Sequence, residues 1–247
     1  MSLDRADACA IAVMAKAPRV GNSKTRLMPF LSAEDAARIS ACFIRDAAEN
    51  IAAAAAQVPI DGYIAHTPPG AAAEFSALLA PGTRLVPSRR PGLAASLHDA
   101  AADLLRMGYG GVCLINSDSP TLPTEFLADA ARALARPGDR LVLGPAEDGG
   151  YYLIGMKRLH ARLFEDIAWS TEAVFAQTIE RAGEIGLEPV VLPGWYDIDD
   201  IRTLQRLWSE IATPGSPRPR PYPARHTAAF LHDFLRARDP AWLAAGQ

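Results

Sequence analysis

Short apolar runs alternate along the chain with longer stretches whose apolar residues recur at helical spacing. The runs read as strands: CAIAVMA (9–15), GYIAHT (62–67), RLVPS (84–88), GVCLIN (111–116), RLVLGP (140–145), YYLIGM (151–156) and EPVVLP (188–193). Between them the pattern predicts a long Ala-rich helix capped by Ser32 with acids in its first turn, and shorter ones in AAAEFSALLA and LAASLHDAAADLLRMG. It also predicts a helix from near Thr124, which can cap it, one from Thr171 to about Ile185 capped by Ser170 or Thr171, and one in DIRTLQRLW with Asp199 as its natural cap. Continuous apolar strands separated by helices imply a mostly parallel sheet covered on both faces. Ligands of such sheets bind beyond the carboxyl ends of the strands. Polar motifs fall there: Lys16 to Arg26 after the first strand, SDSP after GVCLIN, and YDIDD shortly after EPVVLP.

Near the end of the chain the pattern changes. Residues 213–224, TPGSPRPRPYPA, are too rich in proline to continue a helix and read as a stiff linker. Residues 225–247 follow as a helical extension with Phe230, Leu231, Phe234 and Leu235 on one face, suited to packing on the main domain (1–212) or on a second copy in a homodimer. With 247 residues, 49% hydrophobic and 21% charged, the main unit is one large α/β domain. A net charge of −3 supplies no basic field and argues against nucleic acid as a partner. No apolar run reaches the roughly 20 residues of a membrane span. Early acids and a short apolar run argue against a signal peptide, and three cysteines without paired or metal-ligand spacing (Cys9, Cys42, Cys113) suit a reducing cytoplasm.

The candidate chemistry begins in MAKAPRVGNSKTRL (14–27), which holds two of the chain's three lysines. It is not a Walker A loop, since Ser23 precedes Lys24 and Pro18 stands where the first glycine belongs. It still offers Gly21 for close backbone approach, the Ser23 and Thr25 hydroxyls, and the cations Lys16, Lys24 and Arg26, a set suited to phosphate; as a plain connection it is a solvated basic loop. Asp118 in INSDSPTLP can reach the cleft as a ligand for Mg²⁺, which favours one or two carboxylates plus substrate phosphates, or it serves only a turn. In GPAEDGGYYLIG, the Asp148-Gly149-Gly150 stretch is both a hairpin signal and a place where a ligand can meet backbone. The three aspartates of WYDIDD repel one another unless a cation intervenes; with Asp199 as the cap, Asp197 remains as a second metal ligand. Trp169 packs at a helix start or lines a pocket, and His98 sits on a helix surface.

Together, KAPRVGNSKTRL, NSDSPTLP, GPAEDGGYYLIG, IAWST and WYDIDD resemble the bacterial DUF2064 family of glycosyltransferase-like proteins over residues 9 to 210. The resemblance implies the nucleotide-diphospho-sugar transferase superfamily and its GT-A-like, three-layer α/β/α fold. A more distant similarity runs to the 2-phospholactate and molybdenum-cofactor guanylyltransferases. By this resemblance Lys16, Lys24 and Arg26 contact nucleotide phosphates, Asp118 holds Mg²⁺ (or Mn²⁺) aided by Asp197 or Asp199, and Asp148, Gly149 and Gly150 face the second substrate. RRPGLAASL (89–97) matches the loop bordering the nucleotide, with Gly92 and Leu93 at its centre, but Arg89, Arg90 and Pro91 replace the expected Gln-like residue and leave the base open; NSDSP also departs from a Gly-containing form. Lys24, Arg26 and Asp118 are the expected catalytic set. The reaction is glycosyl transfer from a nucleotide sugar, or nucleotidyl transfer from an NTP to a small anionic acceptor, with a non-catalytic nucleotide-binding protein as a lesser alternative.

Overall fold

The computed structural model describes residues 4–213 and 219–236. Seven strands, β1 (Cys9–Lys16), β2 (Ile60–Thr67), β3 (Arg84–Pro87), β4 (Gly111–Asn116), β5 (Leu141–Pro145), β6 (Tyr151–Met156) and β7 (Pro189–Val191), form one sheet in the order β3-β2-β1-β4-β6-β5-β7. Every pairing is parallel except those of β6, which runs antiparallel to β4 and β5. The reversal has a local cause. β5 and β6 are joined only by Ala146–Gly150, too short for a crossover, so the chain returns as a hairpin. It carries the first residue of β6, Tyr151, to the carboxyl ends of the parallel strands.

The helices are α1 (Ala33–Ala55), α2 (Ala72–Phe75), α3 (Leu93–Arg106), α4 (Thr124–Ala135), α5 (Val174–Glu184), α6 (Ile201–Ala212) and α7 (Arg225–Arg236). The strands are apolar throughout because each face of the sheet meets helices. Ile11 and Val13 of β1 pack with α1 and α4, while the alternate Ala10 and Ala12 pack with α3. The architecture is therefore the three-layer α/β/α fold that the sequence implies.

The starts of α4 and α5 differ from the sequence reading, as does that of α6. Ser32 does cap α1, its hydroxyl accepting from the Asp35 N–H at 3.0 Å. The Thr124 hydroxyl instead donates to Asn50 Oδ1 at 2.6 Å, leaving Pro123 at the start of α4 without a side-chain cap. α5 begins at Val174, later than Thr171, and neither Ser170 nor Thr171 is its cap residue.

A third apolar cluster joins α1, α6 and α7, with Phe43, Ile198, Leu207, Phe230 and Leu231 among its members. The apolar face of α7 is thus engaged within its own chain. Of the linker, 214–218 lie outside the described residues, as do 237–247 of the extension. No described helix is long and apolar enough to cross a membrane.

α7 takes its N-terminal cap from α1. The fully buried Asp46 carboxylate accepts from the His226 and Thr227 N–H groups at 3.0 and 2.8 Å and from the Thr227 hydroxyl at 2.6 Å, beside a 2.7 Å His226–Glu49 contact. Burial pushes the Asp46 carboxyl above its usual range, opposed by these three hydrogen bonds. Asp46→Ala is expected to lower stability by about 1–3 kcal/mol in urea denaturation, because two helix N–H groups lose their acceptor. Asp46→Asn, which keeps one acceptor oxygen, is expected to cost less.

Candidate active site

A cleft of about 670 Å³ opens over the carboxyl ends of β1 and β4. Lys16, Ser23, Lys24, Thr25, Arg26, Leu93, Asp118, Asp148, Gly150, Asp197 and Asp199 all line it. Gly21, Gly92 and Gly149 do not, and each has a backbone role instead. Gly21 (φ +75°) turns the opening loop and Gly92 (φ +90°) precedes α3. Gly149 (φ +88°) lies so close to Glu172 that a Cβ would sit 2.2 Å from its carbonyl oxygen. A smaller hollow of about 180 Å³ at the amino ends of β1 and β4 holds none of the candidate residues.

The opening loop places its cations unequally. Lys16 is exposed at the end of β1, and the Arg26 side chain is 77% exposed, 3.4 Å from Asp199. Lys24, with backbone in the left-handed region (φ +48°), turns its side chain inward to only 7% exposure. Its ammonium donates to the Ile198 carbonyl and lies 3.0 Å from Asp118 and 3.4 Å from Asp199, above the Phe43 ring. The sequence reading makes it an open phosphate-facing cation; in the structure it is enclosed by carboxylates. Ser23 is buried and donates to the Ala17 carbonyl at 3.5 Å.

The aspartates reach the cleft through an alternation. Tyr196 and Ile198 are buried in the α1–α6–α7 cluster, so Asp197 and Asp199 face the other way. This segment is fastened to the loop after β4: the Ile198 N–H donates to the Asp118 carbonyl at 2.8 Å and the Ser119 hydroxyl to the Tyr196 carbonyl at 2.9 Å. Asp148 is held in a tight turn by the Gly150 N–H at 2.8 Å. Asp200, one residue beyond the expected Asp199, caps α6 through a reciprocal capping box with Thr203. Asp199 is thereby left to the cleft.

Oxygens of Asp148, Asp197 and Asp199 lie within 4.8 Å of one another. Burial first, then the charges of Asp148, Asp199 and Asp118, push the Asp197 carboxyl up to about 6. Three converging carboxylates are a hard-oxygen donor set suited to Mg²⁺ or Mn²⁺. Asp118, expected as the principal ligand, stands on Lys24, whereas Asp148, expected opposite the second substrate, joins the metal-capable group. Arg89 and Arg90 do not line the cleft; they pair with Asp103 and Asp99 of α3.

Tyr151, Trp169, Ser170 and Asn116 also line the cleft. The Tyr151 and Trp169 rings meet edge to face at 6.4 Å, which realises the pocket-lining reading of Trp169. Neither Asn116 nor Tyr151 stands out in the sequence, because Asn116 ends one apolar strand run and Tyr151 begins another, so each reads as part of a strand.

The profile of the DUF2064 family, described as an uncharacterized protein conserved in bacteria, matches residues 46–171. No protein of curated function matches the sequence. Among solved structures, the chain is similar to a protein of Desulfovibrio desulfuricans G20 provisionally assigned as a nucleotide-diphospho-sugar transferase, at 27% identity and a TM-score of 0.80 over 96% of this chain and 97% of that one. It also shares its fold with CMP:2-keto-3-deoxy-manno-octonic acid synthetase complexed with CTP, at 13% identity and a TM-score of 0.52 over 83% and 98% of the chains. The same holds for Rv0371C of Mycobacterium tuberculosis H37Rv in complex with manganese, at 17% identity and a TM-score of 0.51 over 83% and 100%.

A carboxyl whose folded pKa exceeds its unfolded value binds protons more tightly when folded, so stability is lost as pH rises between the two values. For Asp197 that window runs from 3.8 to about 6. Asp197→Asn is therefore expected to raise the Tm of the metal-free protein at pH 7.5 and to change it little at pH 4, read by thermal denaturation at both.

Proposed function

For a chain that belongs to the DUF2064 family, we propose a metal-dependent transferase that takes a nucleotide sugar in this cleft and passes its glycosyl group to a small acceptor. The convergence of Asp148, Asp197 and Asp199 beside Lys24 and Arg26, at the carboxyl end of the sheet, carries this reading. Both charge types are needed where a diphosphate departs: carboxylates to hold a divalent cation, ammonium and guanidinium groups to face the phosphate oxygens.

A Mg²⁺ or Mn²⁺ ion held by Asp148, Asp197 and Asp199 would neutralise charge on the leaving diphosphate. The chain's own part is positioning. Lys16 and Arg26 are exposed to phosphate, and Lys24, now held by Asp118, Asp199 and the Ile198 carbonyl, would be freer to face it were the charge of Asp199 shared with a bound cation. In the transfer, the bond between the anomeric carbon and the diphosphate oxygen breaks, a bond to the acceptor oxygen forms, and the acceptor proton passes to water.

Nucleotidyl transfer is the second reading, and the three cations lining one cleft favour it, since they suit a triphosphate and a pyrophosphate leaving group. We place the protein in the cytoplasm, with 1–212 as the catalytic unit and 225–247 as a helical extension.

The test is a thermal-shift series with Mg²⁺ or Mn²⁺, comparing four NTPs with UDP-, GDP- and dTDP-sugars. Stabilisation by a nucleotide sugar, lost in EDTA, is expected. Stabilisation by an NTP alone would favour nucleotidyl transfer, and none by any nucleotide would leave a non-nucleotide protein. Asp197→Ala is expected to weaken the metal-dependent binding at least about tenfold.

A further inference from the structure

The charge along the cleft wall is divided. Among the described residues the lining cations, Lys16, Lys24 and Arg26, come from the end of β1 and the loop after it. At the far side, where β6 begins, Tyr151 and Trp169 pack on the core beneath α3 and α5. Among the described residues no lysine or arginine lines that side, and the charged group beside it is Glu172. Two polar atoms of the same wall, the Tyr151 hydroxyl and Asn116 Oδ1, are buried without a hydrogen-bond partner. Ser170, next to Trp169, holds its backbone at φ +64°, the left-handed region that a serine adopts at a cost.

We propose that this wall is a subsite for a neutral, hydroxyl-bearing ring of the hexose kind, with Trp169 as its stacking face and Tyr151 and Asn116 as hydrogen-bond partners. An indole face beside unpartnered polar atoms suits a ring that shows C–H groups on one side and hydroxyls at its edge. A phosphate or carboxylate there would meet Glu172 with no described lysine or arginine to offset it. The inference rests on the proposed transferase reading and narrows it: the group next to the diphosphate is uncharged, which sets glycosyl transfer above nucleotidyl transfer to an anion.

The test is calorimetric titration of the full chain with Mn²⁺, using UDP, GDP, CDP and dTDP, their glucose or mannose diphosphate sugars, methyl α-glucoside, and phosphoenolpyruvate as the anionic probe. One diphosphohexose is expected to bind about tenfold tighter than its own nucleoside diphosphate. Trp169→Ala closes that gap through loss on the hexose side, and Trp169→Phe, a safer substitution for folding, keeps most of it. Tyr151→Phe lowers the hexose preference about fivefold without lowering Tm, since it removes an unpartnered buried hydroxyl. Methyl α-glucoside binding beside a nucleoside diphosphate marks the ring as the acceptor's; a gain confined to the diphosphohexose marks it as the donor's.

The proposal is overturned if a nucleoside diphosphate binds but neither hexose source adds affinity, if the gain survives Trp169→Ala, or if phosphoenolpyruvate occupies the site in preference. Failure of every nucleotide defeats the transferase reading separately. Saturation-transfer NMR with methyl α-glucoside alone then decides the subsite: a signal lost in Trp169→Ala retains it, and no signal removes it.

Discussion

The Lys24 ammonium is the group on which the geometry of the cleft depends. It bridges three segments far apart in sequence: its own loop, Asp118 after β4, and Ile198–Asp199 ahead of α6. Lys24 and Arg26 are the lining cations that contact the acids, so the packing of several carboxylates in one partly buried space leans on them. Removing one partner of an enclosed ion pair strands the other, and the cost then falls on the stranded charge. The left-handed backbone at Lys24 follows from this demand, since the chain must turn sharply to send the side chain inward before Leu27 enters the core.

The arrangement also explains how several acids share one partly buried cleft. Acids this close repel one another, and burial first, then that repulsion, raise the Asp197 carboxyl above its usual range. Lys24 and Arg26 supply part of the missing positive charge. A bound cation and an incoming diphosphate would then exchange partners with them, carboxylates to metal and basic groups to phosphate, with little change in net charge within the cleft.

Most of the fold was legible because hydrophobic patterning is a local signal that the sheet obeys on both faces. CAIAVMA and GVCLIN become β1 and β4 almost residue for residue, and SDSP and YDIDD fall at the carboxyl end of the sheet. What failed to show was choice among adjacent like residues. Asp199 and Asp200 are equal by composition; Asp200 caps α6 because the capping box needs Thr203 three residues on. That spacing was present in the sequence and could have decided it. The alternation of Tyr196 and Ile198 with Asp197 and Asp199 was likewise visible, and it predicts which acids face outward. The pairing of Asp118 with Lys24, and of Asp148 with the WYDIDD acids, was not, because both are tertiary contacts between separate loops.

The antiparallel β6 has a consequence for chemistry as well as topology. Were all seven strands parallel, a crossover would separate β5 from β6, and Tyr151 would begin its strand at the opposite end of the sheet. The five-residue return through Asp148 instead brings a carboxylate and an aromatic ring to the same rim within four positions. Gly149 makes the return feasible, because its backbone lies against Glu172 with no room for a side chain. The Phe175 N–H donates to the Gly149 carbonyl at 2.9 Å, so the start of α5 is fastened to this hairpin. That bond ties the chain shortly after Trp169 to the turn that carries Asp148. Metal-capable and aromatic walls are set by one turn, which gives the cleft a fixed spacing between the place where charge is neutralised and the place where an uncharged ring can lie.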